Sequence, residues 1–207
     1  LDTLRAHKSS QKISWCHQRA EELLDSVGIN PERFSAYPHE LSGGMRQRAL
    51  IGMALACEPK LLIADEPTTA LDVTVQAQIV ELFRELRAQL GLTLIYITHN
   101  LDLMAELCDR AIVMYAGRIV EESEIESLFV SPQHPYTRML IDCVPRLDAP
   151  NSKTLTEIQG MPPPIGMLNK SCAFSPRCPI VFEKCRKELP LFQTLGQNRV
   201  ACWKEKT

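Results

Sequence analysis

Two groups of residues in this chain have the types and the spacing that phosphate chemistry uses. Ser42, Gly43 and Gly44 stand just before a helical run, where backbone N–H groups that no side chain crowds meet the positive end of a helix dipole. Further along, the adjacent carboxylates Asp65 and Glu66 follow the short apolar run Leu-Leu-Ile-Ala. Of two such carboxylates, one can hold Mg²⁺ through its water shell while the other orients or deprotonates an attacking water. The pattern therefore indicates a site for an anion and a divalent cation.

The residues around these groups predict the elements that must position them. Residues 45–56 have the pattern of a helix, residues 61–64 of a buried parallel strand, and residues 73–90 of a long amphipathic helix. A second buried strand over 92–98 and a helix over 101–108 continue the alternation. Because strands alternate with helices, we predict an α/β fold with a parallel sheet, at whose strand ends ligands collect.

Beyond this region the predicted structure changes. Residues 111–115 and 119–121 flank a Gly-Arg turn and predict a small hairpin, and two helices are expected within residues 123–143. From Pro145 to Pro164 the chain is rich in Pro, Gly, Asn and Ser, which is typical of a linker or an extended segment. We therefore expect a domain boundary there.

Size and composition exclude several classes of protein. A chain of 207 residues can bury one good core and a small annex. Its 23 basic and 25 acidic residues provide no strongly basic face, so nucleic acid is not an expected partner. Apolar runs of about six residues fall far short of the roughly 20 that span a bilayer, and no signal peptide is visible. We expect a soluble cytoplasmic chain that reaches a membrane only through partners.

The eight cysteines fall into two groups with different expected roles. Four are scattered through helical or apolar contexts and are predicted to be small buried side chains: Cys16, Cys57, Cys108 and Cys143. The other four crowd the C-terminal part: Cys172, Cys178, Cys185 and Cys202. They lack the tight pairs of a structural zinc site, and disulfides are not expected in the cytoplasm. Loose spacing suits an iron–sulfur cluster, with zinc or free thiols as the open alternatives.

Taken together, the phosphate-type motifs resemble those of ABC-type ATPases. Leu-Ser-Gly-Gly is similar to the signature motif of that family, Leu-Leu-Ile-Ala-Asp-Glu to its Walker B strand and Thr-Ala-Leu-Asp to its D-loop, and His99 matches its switch histidine. The resemblance implies that Asp65 holds Mg²⁺ through water, that Glu66 polarises the attacking water and that His99 contacts the γ-phosphate. Asp72 of the D-loop would tie two protomers together.

In ABC ATPases two domains enclose two nucleotides head to tail, so each signature motif caps the ATP of the other protomer. The resemblance thus implies that Ser42, Gly43 and Gly44 contact the ATP of a partner subunit in trans. The sequence departs from the family in two ways. It has no P-loop of the form GxxxxGK, which leads us to expect that these 207 residues alone hydrolyse ATP poorly or not at all. Met45 replaces the usual Gln of the signature, which we expect to tune the site without abolishing it.

Other segments resemble the ATP-binding subunits of bacterial dipeptide and oligopeptide importers. They include His-Pro-Tyr-Thr-Arg-Met-Leu, Val-Pro-Arg-Leu-Asp and Cys-Ala-Phe-Ser-Pro-Arg-Cys-Pro. This resemblance implies a [4Fe-4S] cluster on the four C-terminal cysteines, with ATP and Mg²⁺ as the other cofactors. It also implies a second ABC ATPase subunit, two transmembrane permease subunits and an external peptide-binding protein as partners. The location it implies is the cytoplasmic face of the bacterial inner membrane.

The resemblance implies that residues 1–130 form a partial ABC ATPase domain. Composition predicts a helical and proline-rich connector over residues 131–164 and a small irregular four-cysteine region over residues 165–207. Two other functions remain open. One is a non-catalytic adaptor that binds a cluster or a metal and keeps the ATPase scaffold. The other is the equivalent subunit of a nickel, heme or antimicrobial-peptide importer.

Overall fold

The computed structural model describes residues 1–8, 10–144, 157–164 and 170–204. The chain divides into two compact units, Leu1–Leu107 and Cys108–Thr207. Most of the predicted linker, residues 145–156, lies outside the described residues, and the predicted boundaries of the three parts stay predictions. No helix in the described ranges combines the length and the apolar character that crossing a bilayer requires.

The first unit contains a two-stranded parallel sheet and five α-helices among its described residues. Its elements are α1 (Asp2–His7), α2 (Ile13–Ser26), α3 (Gly43–Leu55), β1 (Leu61–Asp65), α4 (Val73–Leu90), β2 (Thr93–Ile97) and α5 (Leu101–Leu107). The predicted order of strands and helices from residue 45 to residue 107 is confirmed, which makes the fold of this unit α/β.

The strands β1 and β2 pair in parallel, with Leu61 opposite Thr93 and Asp65 opposite Ile97. One face of this sheet is covered, since Leu62 and Ala64 on β1 are only 8% and 7% exposed. On the same face, the ring of Tyr96 meets Phe83 of α4 edge to face.

The other face of the sheet is open in this unit. Ile63 is 60% exposed, and Ile95 opposite it is 46% exposed. The prediction that these strands are buried is therefore wrong for one of their two faces. An apolar run without alternation indicates burial on both faces, but burial requires a covering layer, and the sequence of a strand does not supply it.

The long helix α4 begins and ends as predicted because both of its caps are strong. The Asp72 carboxylate accepts a hydrogen bond from the Val75 N–H at 2.9 Å, which satisfies a donor that the helix itself leaves unpaired. Gly91 adopts φ +61° and its N–H donates to the Arg87 carbonyl, an αL cap that favours glycine. Between the caps, one apolar stripe forms the core: Ile79, Val80, Leu82, Phe83 and Leu86.

The second unit is built on an antiparallel sheet. Its elements are β3 (Arg110–Tyr115), β4 (Arg118–Glu124), α6 (Ile125–Val130), α7 (Pro135–Asp142), α8 (Glu183–Lys187), β5 (Gln193–Leu195) and β6 (Asn198–Val200). The strand order is β3-β4-β6-β5. The predicted hairpin is confirmed as β3 and β4, and the two helices within residues 123–143 as α6 and α7.

The C-terminal region is more regular than predicted. Its strand β6 pairs with β4, placing Glu121 opposite Val200 and Glu122 opposite Arg199. The Ala201 N–H continues the contact by donating to the Val120 carbonyl at 2.8 Å. The three-residue strands β5 and β6 are too short to produce a recognisable alternation, so no sequence pattern predicts them.

Candidate functional site

The carboxyl ends of β1 and β2 bring two of the predicted site residues together. Because the strands are parallel and in register, the Glu66 N–H extends the ladder and donates to the Ile97 carbonyl at 2.9 Å. Two residues beyond Ile97, the His99 ring places Nδ1 3.2 Å from Glu66 Oε1. Both side chains are exposed, so a ligand in solution can reach the pair.

Glu66 is held by its own turn as well as by His99. The Thr69 hydroxyl donates to Glu66 Oε2 at 2.9 Å, and the Thr69 N–H donates to the Glu66 carbonyl at 3.1 Å. These hydrogen bonds, first from Thr69 and then from His99, lower the pKa of the Glu66 carboxyl below its usual value. Each oxygen of the carboxylate keeps a free lone pair, so the ionised group can still accept a proton or orient a water.

The backbone at Glu66 is strained. Its φ of +45° lies in the left-handed region, which a residue with a Cβ adopts at an energetic cost and which is found most often at functional positions. Sequence reasoning missed Thr69. The signal that could have found it is the threonine three residues after the acid, the spacing of a side chain that closes a turn on its first residue.

Asp65 ends β1 on the exposed face of the sheet, which it shares with Ile63. A carboxylate there is open to solvent and can act through the water shell of a cation, as the sequence predicted for it. Asp72 is used locally, as the N-cap of α4. This contact is a structural role that the sequence analysis did not assign to it.

The predicted anion site is the first turn of α3. The helix begins at Gly43, two residues earlier than predicted, so both glycines lie within it. The Ser42 hydroxyl accepts a hydrogen bond from the Met45 N–H at 3.2 Å and caps the helix. The remaining N–H groups of a first turn have no partner within the helix, which suits an anion.

Gly44 also has a packing role. A Cβ built on it would lie 2.7 Å from Val75 Cγ1, so only glycine allows α3 to approach the first turn of α4 this closely. A Cβ built on Gly43 would lie 3.4 Å from Leu71 Cδ2, which is ordinary contact. The signature turn and the Thr-Ala-Leu-Asp turn are thus neighbours in the structure.

The structure draws the four C-terminal cysteines into one neighbourhood. The Cys172 N–H donates to the Cys185 carbonyl at 3.0 Å. Burial raises the pKa of Cys172, Cys178 and Cys202, and the charge of neighbouring thiolates raises it further; for Cys178 these neighbours are the other three cysteines of the group. At neutral pH these groups are therefore thiols, unless a nearby cation stabilises the thiolates.

Within the described ranges, no three side chains of His, Cys, Asp or Glu are grouped so that they could hold a metal ion. A cubane cluster has one iron at each ligand and separates its thiolates by the width of the cluster, farther than a single ion would. The four cysteines provide the number and type of ligand that such a cluster uses.

The other four cysteines do not all follow the prediction that they are buried. Cys16 is buried in α2 at 1% exposure, as predicted. Cys57 is exposed, so the prediction for it was wrong; it lies in the turn that follows α3, beyond the apolar stripe of the helix. Cys108 and Cys143 are partly exposed.

Next to the cysteines lies an aromatic box, formed by the rings of Tyr115, His134 and Tyr136, around Phe174. Phe174 is 1% exposed, and its ring centroid lies 5.2 Å from that of Tyr115, 5.4 Å from that of Tyr136 and 5.8 Å from that of His134. These separations are typical of packed aromatic pairs. Three elements of the second unit meet here, namely β3, α7 and the cysteine segment.

The start of α7 is fixed by two buried polar groups. His134 is 1% exposed, and its Nδ1 accepts a hydrogen bond from the Tyr136 N–H at 3.1 Å. The Glu121 carboxylate, which is fully buried, accepts from the N–H groups of Gln133 at 2.7 Å and His134 at 2.8 Å. Burial lowers the pKa of His134 to about 4, so the imidazole is neutral at pH 7.

Two family models match this chain. The model of the ABC transporter family matches residues 2–69, which include the turn before α3 and the strand β1. The model of the oligopeptide/dipeptide transporter C-terminal region matches residues 120–185, which include α7 and Phe174.

Curated relatives agree with both models. The oligopeptide transport ATP-binding protein OppD of Escherichia coli is 47% identical over 207 residues, which cover 99% of this chain and 60% of that protein. OppD of Haemophilus influenzae is also 47% identical, over 98% of this chain and 63% of that protein. The chain spans between 57% and 63% of the length of the first relatives it matches.

Solved structures support the α/β fold. The protein cbiO1 from Clostridium perfringens, part of the ABC transporter complex cbiONQ, is 34% identical, with a TM-score of 0.52 over 58% of this chain and 48% of that one. An ATP-binding cassette of an ABC transporter in its ADP conformation is 29% identical, with a TM-score of 0.51 over 56% of this chain and 46% of that one.

Proposed function

Because the chain belongs to the ABC transporter ATP-binding proteins of the peptide-import type, we propose that it is an energy-coupling subunit of a dipeptide or oligopeptide import system. The observation that carries the proposal is the pair of Glu66 and His99, joined at 3.2 Å where two parallel strands end. Phosphate-transferring sites in α/β proteins lie at that edge of the sheet.

In this proposal each predicted residue has one task. Asp65 holds Mg²⁺ through water, and Glu66 accepts the proton of the attacking water or holds that water in line. His99, bound to Glu66 through Nδ1, presents its other ring nitrogen to the γ-phosphate. The Thr69 hydroxyl keeps the Glu66 carboxylate in a single orientation during the reaction, because it occupies a lone pair on the other oxygen.

The anion site acts on a different nucleotide. The amides of Gly43 and Gly44, with the Ser42 hydroxyl beside them, cap the phosphates of an ATP held by a partner ATPase subunit. Asp72, the N-cap of α4, belongs to the turn that neighbours the first turn of α3, and it faces the same partner subunit. The assembly also includes two transmembrane permease subunits and an external peptide-binding protein, and the chain works at the cytoplasmic face of the bacterial inner membrane.

A [4Fe-4S] cluster is the proposed occupant of the four-cysteine neighbourhood, with Cys172, Cys178, Cys185 and Cys202 as its ligands. Support comes from the donor set, from the pKa values of Cys172 and Cys178, which burial raises and neighbouring thiolates raise further, and from the hydrogen bond that joins Cys172 to Cys185. Such a cluster would supply a redox-active or a structural centre. Anaerobic reconstitution with iron and sulfide, followed by visible absorbance, tests it.

The transport proposal is tested by ATP turnover. The 207 residues alone should turn over ATP far more slowly than about 1 s⁻¹, which is ordinary for enzymes. Mixed with a peptide-importer ATPase subunit that has its own P-loop, the chain should stimulate hydrolysis by that partner. Absence of stimulation at saturating concentrations of the chain would refute the trans arrangement.

The variant Gly43→Glu makes the test specific. A carboxylate in the first turn of α3 stabilises the helix through its dipole but repels a phosphate, so stimulation should be lost while the fold is kept. The matched control is Gln47→Glu, which adds the same charge on the same helix one turn later. An equal loss of stimulation in both variants would show that the added charge does not act through the first turn of α3.

A further inference from the structure

One buried side chain joins the cysteine segment to the rest of the second unit. Phe174 lies in the aromatic box, between a ring on β3 and two rings at the start of α7. At 1% exposure it has lost nearly all contact with water, which makes it the strongest apolar anchor of its segment. The segment carries Cys172 two residues before Phe174 and Cys178 four residues after it.

A second anchor lies beside the first. The Arg177 guanidinium donates to the carbonyls of Ile158 at 2.8 Å and Gln159 at 2.9 Å, and to the Tyr115 hydroxyl at 3.2 Å. All of these partners are neutral, so Arg177 holds its segment to the backbone at residues 158–159 and to the Tyr115 side chain through hydrogen bonds. Arg177 immediately precedes Cys178 and therefore fixes the backbone at that cysteine.

The remaining two cysteines are positioned by backbone contacts. Cys185 follows the first residues of α8 and accepts the Cys172 N–H at 3.0 Å. Cys202 follows Ala201, whose N–H bonds to the Val120 carbonyl on β4. Each of the four cysteines is thus close to a contact that fixes its segment. The contacts of Arg177, Cys185 and Ala201 are hydrogen bonds, whereas Phe174 holds its segment by side-chain packing alone.

We propose that Phe174 is a positioning residue, whose packing in the aromatic box holds Cys172 and Cys178 beside Cys185 and Cys202. The thiol neighbourhood is then built by the polypeptide itself and does not depend on the group it binds. The functional meaning of this inference rests on the proposed four-cysteine site. The packing and the hydrogen bonds from which it is argued do not. It also gives the His-Pro-Tyr segment a task, because His134 and Tyr136 form two sides of the box.

The test measures how fast iodoacetamide alkylates each cysteine in the 207-residue chain under native conditions, with peptide mass spectrometry to assign the rates. In the variant Phe174→Ala, the rates at Cys172 and Cys178 should rise on the order of 10- to 100-fold, because the segment opens locally once its anchor is removed. Phe174→Leu keeps apolar volume without a ring and should give a smaller rise.

Two internal references show that the change is local. Cys16 is buried and Cys57 exposed in the first unit, so their slow and fast rates should stay as in the wild-type chain. The matched control variant is Phe182→Ala, the same change in the same segment at a side chain that is 44% exposed. It should leave the rates at Cys172 and Cys178 within about twofold of wild type.

Three results would overturn the proposal. They are unchanged rates at Cys172 and Cys178 in Phe174→Ala, an equal rise in Phe182→Ala, or a comparable rise at Cys143, which would mean that the whole second unit had loosened. Iron–sulfur reconstitution adds a separate readout: Phe174→Ala should form less than about a tenth of the wild-type absorbance. If the wild-type chain forms none, the cluster proposal fails, and the alkylation rates still decide the role of Phe174.

Discussion

The buried His134 makes the stability of the second unit depend on pH. Its imidazole is 1% exposed and neutral, its pKa is lowered by burial to about 4, and its Nδ1 lone pair is engaged by the Tyr136 N–H. In the unfolded chain the same group has a pKa near 6.5. Between these two values the unfolded state binds more protons than the folded state, so stability falls as the pH falls through this window.

The size of the effect follows from the two pKa values. Above pH 6.5 the buried, neutral His134 costs the second unit almost no stability. At pH 5 the unfolded state has gained about 2 kcal/mol from protonation of this one group, and below pH 4 the loss levels off at about 3 kcal/mol. For a unit of this size, a loss of 2 kcal/mol moves the urea midpoint down by about 1–2 M.

Tryptophan fluorescence can follow this change. The chain has two tryptophans, and Trp15→Phe leaves Trp203, which lies in the second unit beneath the Lys184 ammonium group. In that background, urea unfolding is measured at pH 7.5 and pH 5. His134→Asn is the test variant, because Asn keeps an acceptor at the N-cap of α7 but cannot be protonated in this range.

The difference between the midpoint shifts of the two proteins isolates the contribution of His134, because all other titratable groups are the same in both. We expect the wild-type midpoint to fall between pH 7.5 and pH 5 by about 1–2 M more than the midpoint of His134→Asn. His39→Asn, at an exposed histidine, should behave as wild type. A drop of the same size in His134→Asn as in wild type would refute the reasoning.

Two further predictions concern the elements of the candidate site. Gly44→Ala should destabilise the first unit by about 1–3 kcal/mol, because the added Cβ overlaps Val75, and Val75→Ala in the same chain should restore most of the loss in chemical unfolding. Asp72→Ala should cost about 1 kcal/mol through loss of the α4 cap, whereas Asp72→Asn should keep thermal stability. Lower ATP turnover in the assembled system for Asp72→Asn would then report a contact with the partner; unchanged turnover would limit Asp72 to its capping role.

Much of the first unit could be predicted because its signals are local. Gly91 marks the end of α4, and the apolar runs 61–64 and 92–98 predict the two strands after which Glu66 and His99 stand. Such signals lie within a few residues of the feature they determine.

What the sequence did not reveal depends on distant partners or on single hydrogen bonds. The pairing of β6 with β4 joins residues that are far apart in the chain, and three-residue strands have no pattern of their own. Phe174 has no sequence context that distinguishes it from the exposed Phe182, since burial depends on where the box is built. Thr69 carries a local signal in its spacing from Glu66, but that spacing does not specify that its hydroxyl donates to a carboxylate oxygen.

The buried Glu121 carboxylate has a consequence for how the second unit can vary. The carboxylate accepts hydrogen bonds from the N–H groups of Gln133 and His134. These bonds close residues 121–134, which include α6, into a loop whose two ends are joined. Insertions or deletions inside this closed loop would pull the carboxylate off its donors and leave a buried charge unpaired, which is strongly destabilising. Homologous chains should therefore keep the length of this stretch constant and place their gaps elsewhere.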